Sequence, residues 1–153
     1  MSKGTSQRPF SSTKGIIQAI AFHPLKPHFF ACTHLSVFQY NLQKQTIVKK
    51  YRSGAKWISS ISVHPKGDNF VLGTYDKKVL WFDMDMGGEA PYKSMKYHDK
   101  AIRDVCFSPK HPLFASASDD GSVNIFHGMG YNDLLQNALV VPLKVLKAHE
   151  PSK

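Results

Sequence analysis

The octad Ile17-Gln-Ala-Ile-Ala-Phe-His-Pro24 returns as Ile58-Ser-Ser-Ile-Ser-Val-His-Pro65 and again as Ile102-Arg-Asp-Val-Cys-Phe-Ser-Pro109. Each copy is apolar at its first, fourth and sixth places and closes on His-Pro or Ser-Pro. The prolines stand at 24, 65 and 109, so the repeat interval is 41 and then 44 residues. Alternation such as Ile61-x-Val63 signals a strand, and proline, which cannot donate to a ladder, marks its end.

The residues after each proline match as well. A second strand is expected at 29–33, 70–74 and 113–118, and a third at 37–41, 79–83 and 123–127. Between them, Asp119-Asp120-Gly121 is the clearest hairpin turn, because Asp and Gly tolerate positive φ. A weaker fourth strand falls at 46–52, 92–97 and 141–147. Four short antiparallel strands per unit of this length are the pattern of a β-propeller blade. A β-sandwich also has short, evenly spaced strands, but it does not repeat one octad at blade length. The reading is all-β: about three and a half four-stranded blades, fewer than the four to eight of a closed propeller. Residues 1–13 form a basic tail, 14–56, 57–97 and 98–148 the three blades, and 149–153 the start of another.

The blades resemble WD40 repeats. Where that family closes its third strand with Trp-Asp, this chain has Tyr40-Asn41, Phe82-Asp83 and Phe126-His127. The resemblance places the family's loop-tying His, Ser/Thr and Asp on His98, Ser116 and Asp120, with Phe126 where the hydrogen-bonding Trp would be. In the second copy only Asp76 remains, and in the first His34 replaces the acid.

Charge divides the chain. Residues 1–56 carry nine Lys and Arg and no acid, whereas the remainder balances, so the net +9 belongs to the first third. A polyanion such as nucleic acid, an acidic protein or solvent alone could face that surface. Tyr40, Tyr51 and Trp57 lie among Lys44, Lys49, Lys50, Arg52 and Lys56, a mixture able to stack bases and hold phosphates. Strand alternation would bury about half of such aromatics.

Little else suggests chemistry. His23 and His64 occupy equivalent strand-end turns and lack partners at metal-ligand spacing. Asp83-Met-Asp85-Met-Gly87 begins like a calcium loop but has no closing Glu. Asp119 and Asp120 read as turn residues rather than paired acid–base carboxylates. Gly87-Gly88 is not followed by the Lys-Ser/Thr of a phosphate cradle, and no nucleophile elbow frames a serine. Cys32 and Cys106 have no CxxC and read as small buried hydrophobes. No catalytic, metal or cofactor site is expected. The start, Met1–Phe10, lacks a signal's apolar core, and no run reaches the roughly 18 apolar residues of a membrane helix, so a soluble intracellular chain without a membrane partner is expected.

Two stretches go beyond a generic repeat. One is Lys56-Trp-Ile-Ser-Ser-Ile-Ser-Val-His-Pro-Lys-Gly-Asp-Asn69 with Trp81-Phe-Asp-Met-Asp85. The other runs from His111-Pro-Leu-Phe-Ala-Ser-Ala-Ser-Asp-Asp-Gly121 through Phe126-His-Gly-Met-Gly-Tyr-Asn-Asp-Leu-Leu-Gln-Asn137 to Val141-Pro-Leu-Lys-Val145. Over about residues 10–149 the chain is similar to the carboxy-terminal propeller of the Bop/Erb family of ribosome-biogenesis proteins. The insertion, 127–139, is the most specific part, through Tyr131, Asn132, Asp133, Leu134, Leu135, Gln136 and Asn137. The resemblance implies a non-enzymatic assembly factor for the large (60S) ribosomal subunit, acting in rRNA maturation in the nucleolus and nucleoplasm. It implies docking on the pre-60S particle and on a second WD-repeat propeller. The family's pescadillo-binding amino-terminal region and its seven-bladed closure have no counterpart in the sequence, which is either a fragment or a truncated gene product. The alternative is a WD40 protein-interaction module outside ribosome assembly.

Overall fold

The computed structural model describes residues 15–127 and 142–147. Twelve strands form three antiparallel sheets. The first contains β1 (Ala19–Phe22), β2 (His28–Cys32), β3 (Ser36–Asn41) and β4 (Thr46–Arg52). The second contains β5 (Ile58–Val63), β6 (Asn69–Thr74), β7 (Val79–Asp83) and β8 (Lys93–Met95). The third contains β9 (Ile102–Phe107), β10 (Leu113–Ser118), β11 (Val123–His127) and β12 (Pro142–Leu146). Neighbours in sequence are neighbours in each sheet, and β1, β5 and β9 adjoin along the inner side. The result is an arc of three propeller blades.

The octad explains how the blades stack. Its apolar positions point toward the preceding blade: Ile58 and Ile61 pack on the first sheet, and Ile102 and Val105 on the second. In the first copy the same face has no preceding blade among the described residues. Ile20 is accordingly 66% exposed and Phe22 70%, while Ala19 and Ala21 on the opposite face pack toward the second sheet.

The middle sheet is covered on both faces, which is why β6 and β7 are nearly continuous apolar runs. Phe70, Leu72, Leu80 and Phe82 face the first sheet; Val71, Val79 and Trp81 face the third. Phe70 stacks on Phe82 at 4.8 Å and receives Tyr51 edge-on at 4.9 Å. Across the second interface Trp81 lies 5.5 Å from Phe114, which stacks on Phe126 at 4.7 Å. Gly73 keeps that interface close: a Cβ there would stand 2.6 Å from Ile102 Cγ2 and from Ser60 Oγ. Backbone bonds also cross between blades, with Ile58 N–H donating to the His34 carbonyl at 2.8 Å. Phe107 N–H donates to Ser62 Oγ at 2.9 Å.

Two cysteine expectations separate here. Cys32 is buried between the first and second sheets, and burial pushes its thiol pKa up. Cys106, expected to be buried, is exposed. It alternates with Val105, which takes the covered face of β9, so its own side chain falls on the face turned away from the second sheet.

Candidate interaction surface

The residues predicted to tie a blade together meet in the third sheet. His98 lies just before β9, Ser116 in β10 and Asp120 in the β10–β11 turn. His98 Nε2 is 2.7 Å from Ser116 Oγ, and Nδ1 is 3.0 Å from Asp120 Oδ2. The turn positions Asp120 further: Oδ2 accepts Asp99 N–H at 3.0 Å and Oδ1 accepts Ser122 N–H at 2.9 Å. Ser122 Oγ also reaches both His98 Nδ1 and Asp120, a member that sequence reasoning missed. Burial is the largest influence on the Asp120 carboxyl and opposes its ionisation. The bonds from the Ser122 hydroxyl, the Asp99 and Ser122 amides and His98 outweigh it, holding the pKa well below the usual carboxylate range.

A Ser–His–Asp chain with these distances has the connectivity of an acyl-transfer triad. Access decides otherwise. Ser116 is 1% exposed and His98 2%, so no substrate carbonyl can reach the hydroxyl. The arrangement clasps the loop before β9 to the β10–β11 turn. At the position of the absent indole, Phe126 contributes ring packing against Phe114 and Tyr97 instead of a hydrogen bond.

The other copies keep parts of the clasp. Asp76 Oδ2 accepts Lys56 N–H at 3.4 Å and pairs with Lys78 at 3.8 Å, the counterpart of the Asp120–Asp99 bond without the histidine. His34 presents its ring 5.4 Å from Trp57. Trp57, 42% exposed, approaches Tyr75 at 6.4 Å, and the Arg103 guanidinium lies 5.0 Å over the Tyr75 ring. Arg103 also holds Asp119 through contacts of 2.8–2.9 Å, and that side-chain bond is the main reason the Asp119 pKa is lowered. This His34–Trp57–Tyr75–Arg103–Asp119 ladder links all three blades. Its members lie far apart in sequence, and only the shared turn positions of the repeat could have hinted at it.

The basic candidates lie on the outer strand of the first blade, in the turn before it and in the loop leading to the second blade. Lys49, Lys50 and Arg52 are in β4, Lys44 in the β3–β4 turn and Lys56 in the loop before β5. Three of them already have partners: Arg52 pairs with Glu89 at 2.8 Å, Lys49 Nζ donates to the Met86 carbonyl at 2.9 Å, and Lys50 Nζ lies 5.4 Å over the Phe38 ring. Among the described residues, Lys44, Lys50 and Lys56 have no carboxylate within ion-pair distance. A shallow hollow of about 400 Å³ opens beside Lys50 and Arg52, bordered by Leu35 and Ala55. Lysines on an edge strand also deter edge-to-edge pairing, which accounts for part of this charge.

The aromatic half of the expected interface changes. Tyr40 and Tyr51 are buried, Tyr51 donating to Gln39 Oε1 at 3.0 Å, so neither can stack a base. Only Trp57 of that trio offers an open ring. The insertion Tyr131–Asn137 lies outside the described residues, as do the tail and residues 149–153. No group of three or more potential metal ligands occurs among the described residues.

A family profile for the WD domain, G-beta repeat, matches residues 89–127, the stretch containing the His98–Ser116–Asp120 clasp. Across 150 residues, 98% of the chain, it is 55% identical to the ribosome biogenesis protein BOP1 homolog of Drosophila ananassae. The chain is a homologue of BOP1-type ribosome biogenesis proteins. The corresponding proteins of Drosophila willistoni and Drosophila sechellia are 54% and 55% identical over the same length. The chain spans about a fifth of these BOP1 homologues, 19% in each case.

Proposed function

We propose that the chain is a non-enzymatic scaffold in the biogenesis of the large ribosomal subunit. One observation carries this reading: identity of 54–55% to proteins named for ribosome biogenesis, sustained over 98% of the chain. The WD40 blades are suited to the role, because rigid sheets present loops and edges to partners without a reacting centre. The reading extends to pre-60S association, docking on a second WD-repeat propeller, and a nucleolar and nucleoplasmic location. A pescadillo-type partner belongs to the family resemblance; none of the blade surfaces described above argues for it. Sucrose-gradient sedimentation of nuclear extract tests the proposal. The tagged chain is expected in the pre-60S fractions, and its confinement to light fractions would favour a WD40 interaction module outside ribosome assembly.

Direct contact with rRNA is part of the proposal. Lys44, Lys50 and Lys56, none with a carboxylate within ion-pair distance among the described residues, supply the cations, and Trp57 the stacking ring. Replacing the three lysines by alanine is expected to weaken rRNA-fragment binding and to reduce its log–log salt slope by about 2, at roughly 0.7 per single-strand phosphate contact. A slope already flat in the parent chain would remove phosphate contact from the account.

A further inference from the structure

The loops that follow the octads were predicted only as turns, yet between the second and third blades they enclose a cleft of about 400 Å³. Its walls are the β5–β6 loop, with His64, Pro65 and Lys66, and the β9–β10 loop, with Pro109, Lys110 and His111; Phe107 lies at its base. The volume is within the range of built ligand sites.

The base of this cleft is rigid. Phe107 is held edge-on by Trp81 at 5.6 Å and by His64 at 5.0 Å, and its amide is tied to Ser62. The His64 ring accepts Lys66 N–H at 3.1 Å, and Ser108 Oγ accepts His111 N–H at 3.2 Å, fixing both loops. Gly67, at φ +75°, turns the first loop, and its carbonyl meets His23 Nε2 at 2.9 Å, bracing that loop against the first blade. Three prolines restrict the walls further.

The rim carries the opposite property, uncommitted charge. Lys66 and Lys110 are exposed, and neither has a carboxylate within ion-pair distance among the described residues. Asp68, next to this loop, faces His64 at 3.7 Å.

We propose that this cleft binds an acidic–hydrophobic peptide segment of a partner protein. Its carboxylates would meet Lys66 and Lys110, and an apolar side chain would rest against Phe107 and the proline rings. A rigid apolar base with convergent cations suits such a segment, since little ordering cost falls on the receptor. RNA fits less well: Phe107 is half-buried and flanked by His64 and Trp81, so it offers no open face for a base.

The test uses fluorescence anisotropy on the 153-residue chain with a labelled decapeptide alternating Glu and Leu, in about 50 mM salt so that screening is modest. Saturable binding is expected, and K66E/K110E should weaken it at least about tenfold, as loss of close charge pairs does. K96E/K147E, two exposed lysines beyond the strand ends opposite the cleft, should leave it within about threefold if the contact is local rather than a long-range field effect. Both cleft lysines are exposed, so K66E/K110E should keep the parent's thermal midpoint; if it does not, Lys66→Gln with Lys110→Gln serves instead. Absence of saturable binding, or equal losses in the two double variants, overturns the proposal. So does displacement of the peptide by oligouridine whose own binding K66E/K110E abolishes, which would make the cleft an RNA site. The assay contains no ribosomal particle, so its failure leaves the sedimentation result untouched, and the reverse also holds.

Discussion

Trp81→Ala is expected to destabilise the chain by about 3–5 kcal/mol, the largest single effect of any side chain here. Trp81 is fully buried between the second and third sheets, in contact with Phe107 and Phe114. Removing it opens a cavity at the centre of an interface whose strands cannot collapse without losing register. It also takes away the donor that Nε1 provides to Asn69 Oδ1 at 3.0 Å, leaving a buried amide oxygen unsatisfied. Trp81→Phe separates the two costs, because it retains most of the ring volume and loses only the donor, with an expected loss of about 1–2 kcal/mol. Urea titration followed by far-ultraviolet circular dichroism measures both. A loss below about 1 kcal/mol for the alanine variant would show that the second and third sheets do not pack as described.

The second large effect is at His98. His98→Ala removes bonds to Ser116 and Asp120 and leaves both in a site largely closed to solvent, an expected cost of about 2–4 kcal/mol. Asp120 adds a pH dependence with a definite sign. Its carboxyl titrates lower in the folded chain than in the unfolded one, where about 3.9 is normal. The stabilisation is therefore complete above that unfolded value and is lost as the pH falls below it. Asp120→Asn should flatten the acid limb of the stability–pH curve below about pH 5 while lowering stability at neutrality. Chemical unfolding at a series of pH values provides the check; an acid limb as steep as the parent's would detach Asp120 from it.

Much of the architecture is legible in the octad because its period is tied to one physical requirement, an apolar face for the preceding blade. The strand positions follow from it, and so does the exposure of Ile20 and Phe22, since the same pattern occurs where that neighbour is missing from the described residues. Contacts made by unlike residues were harder to read. Asn69 and Gln39 look like polar interruptions of apolar strands, and their role as partners of Trp81 and Tyr51 depends on cross-strand register. Asp119 reads as a turn former, while its grip on Arg103 needs the third dimension. Tyr40 and Tyr51 show the opposite failure: their neighbours in sequence suggested a stacking surface, and strand alternation put their rings inside. The expectation for His98, Ser116 and Asp120 rests on the family resemblance, which supplies a spacing that composition alone does not contain.

The both-sided cover of β6 also has a kinetic meaning. Each blade contacts only adjacent blades, so local opening should begin at the outer sheets and reach the middle one last. Amide protons of Phe70, Val71 and Leu72 would then exchange with solvent only through near-global unfolding, while those of β1 and β12 exchange through cheaper local fluctuations. The chain's clock for losing its structure is set in its centre, and its ends report the time first.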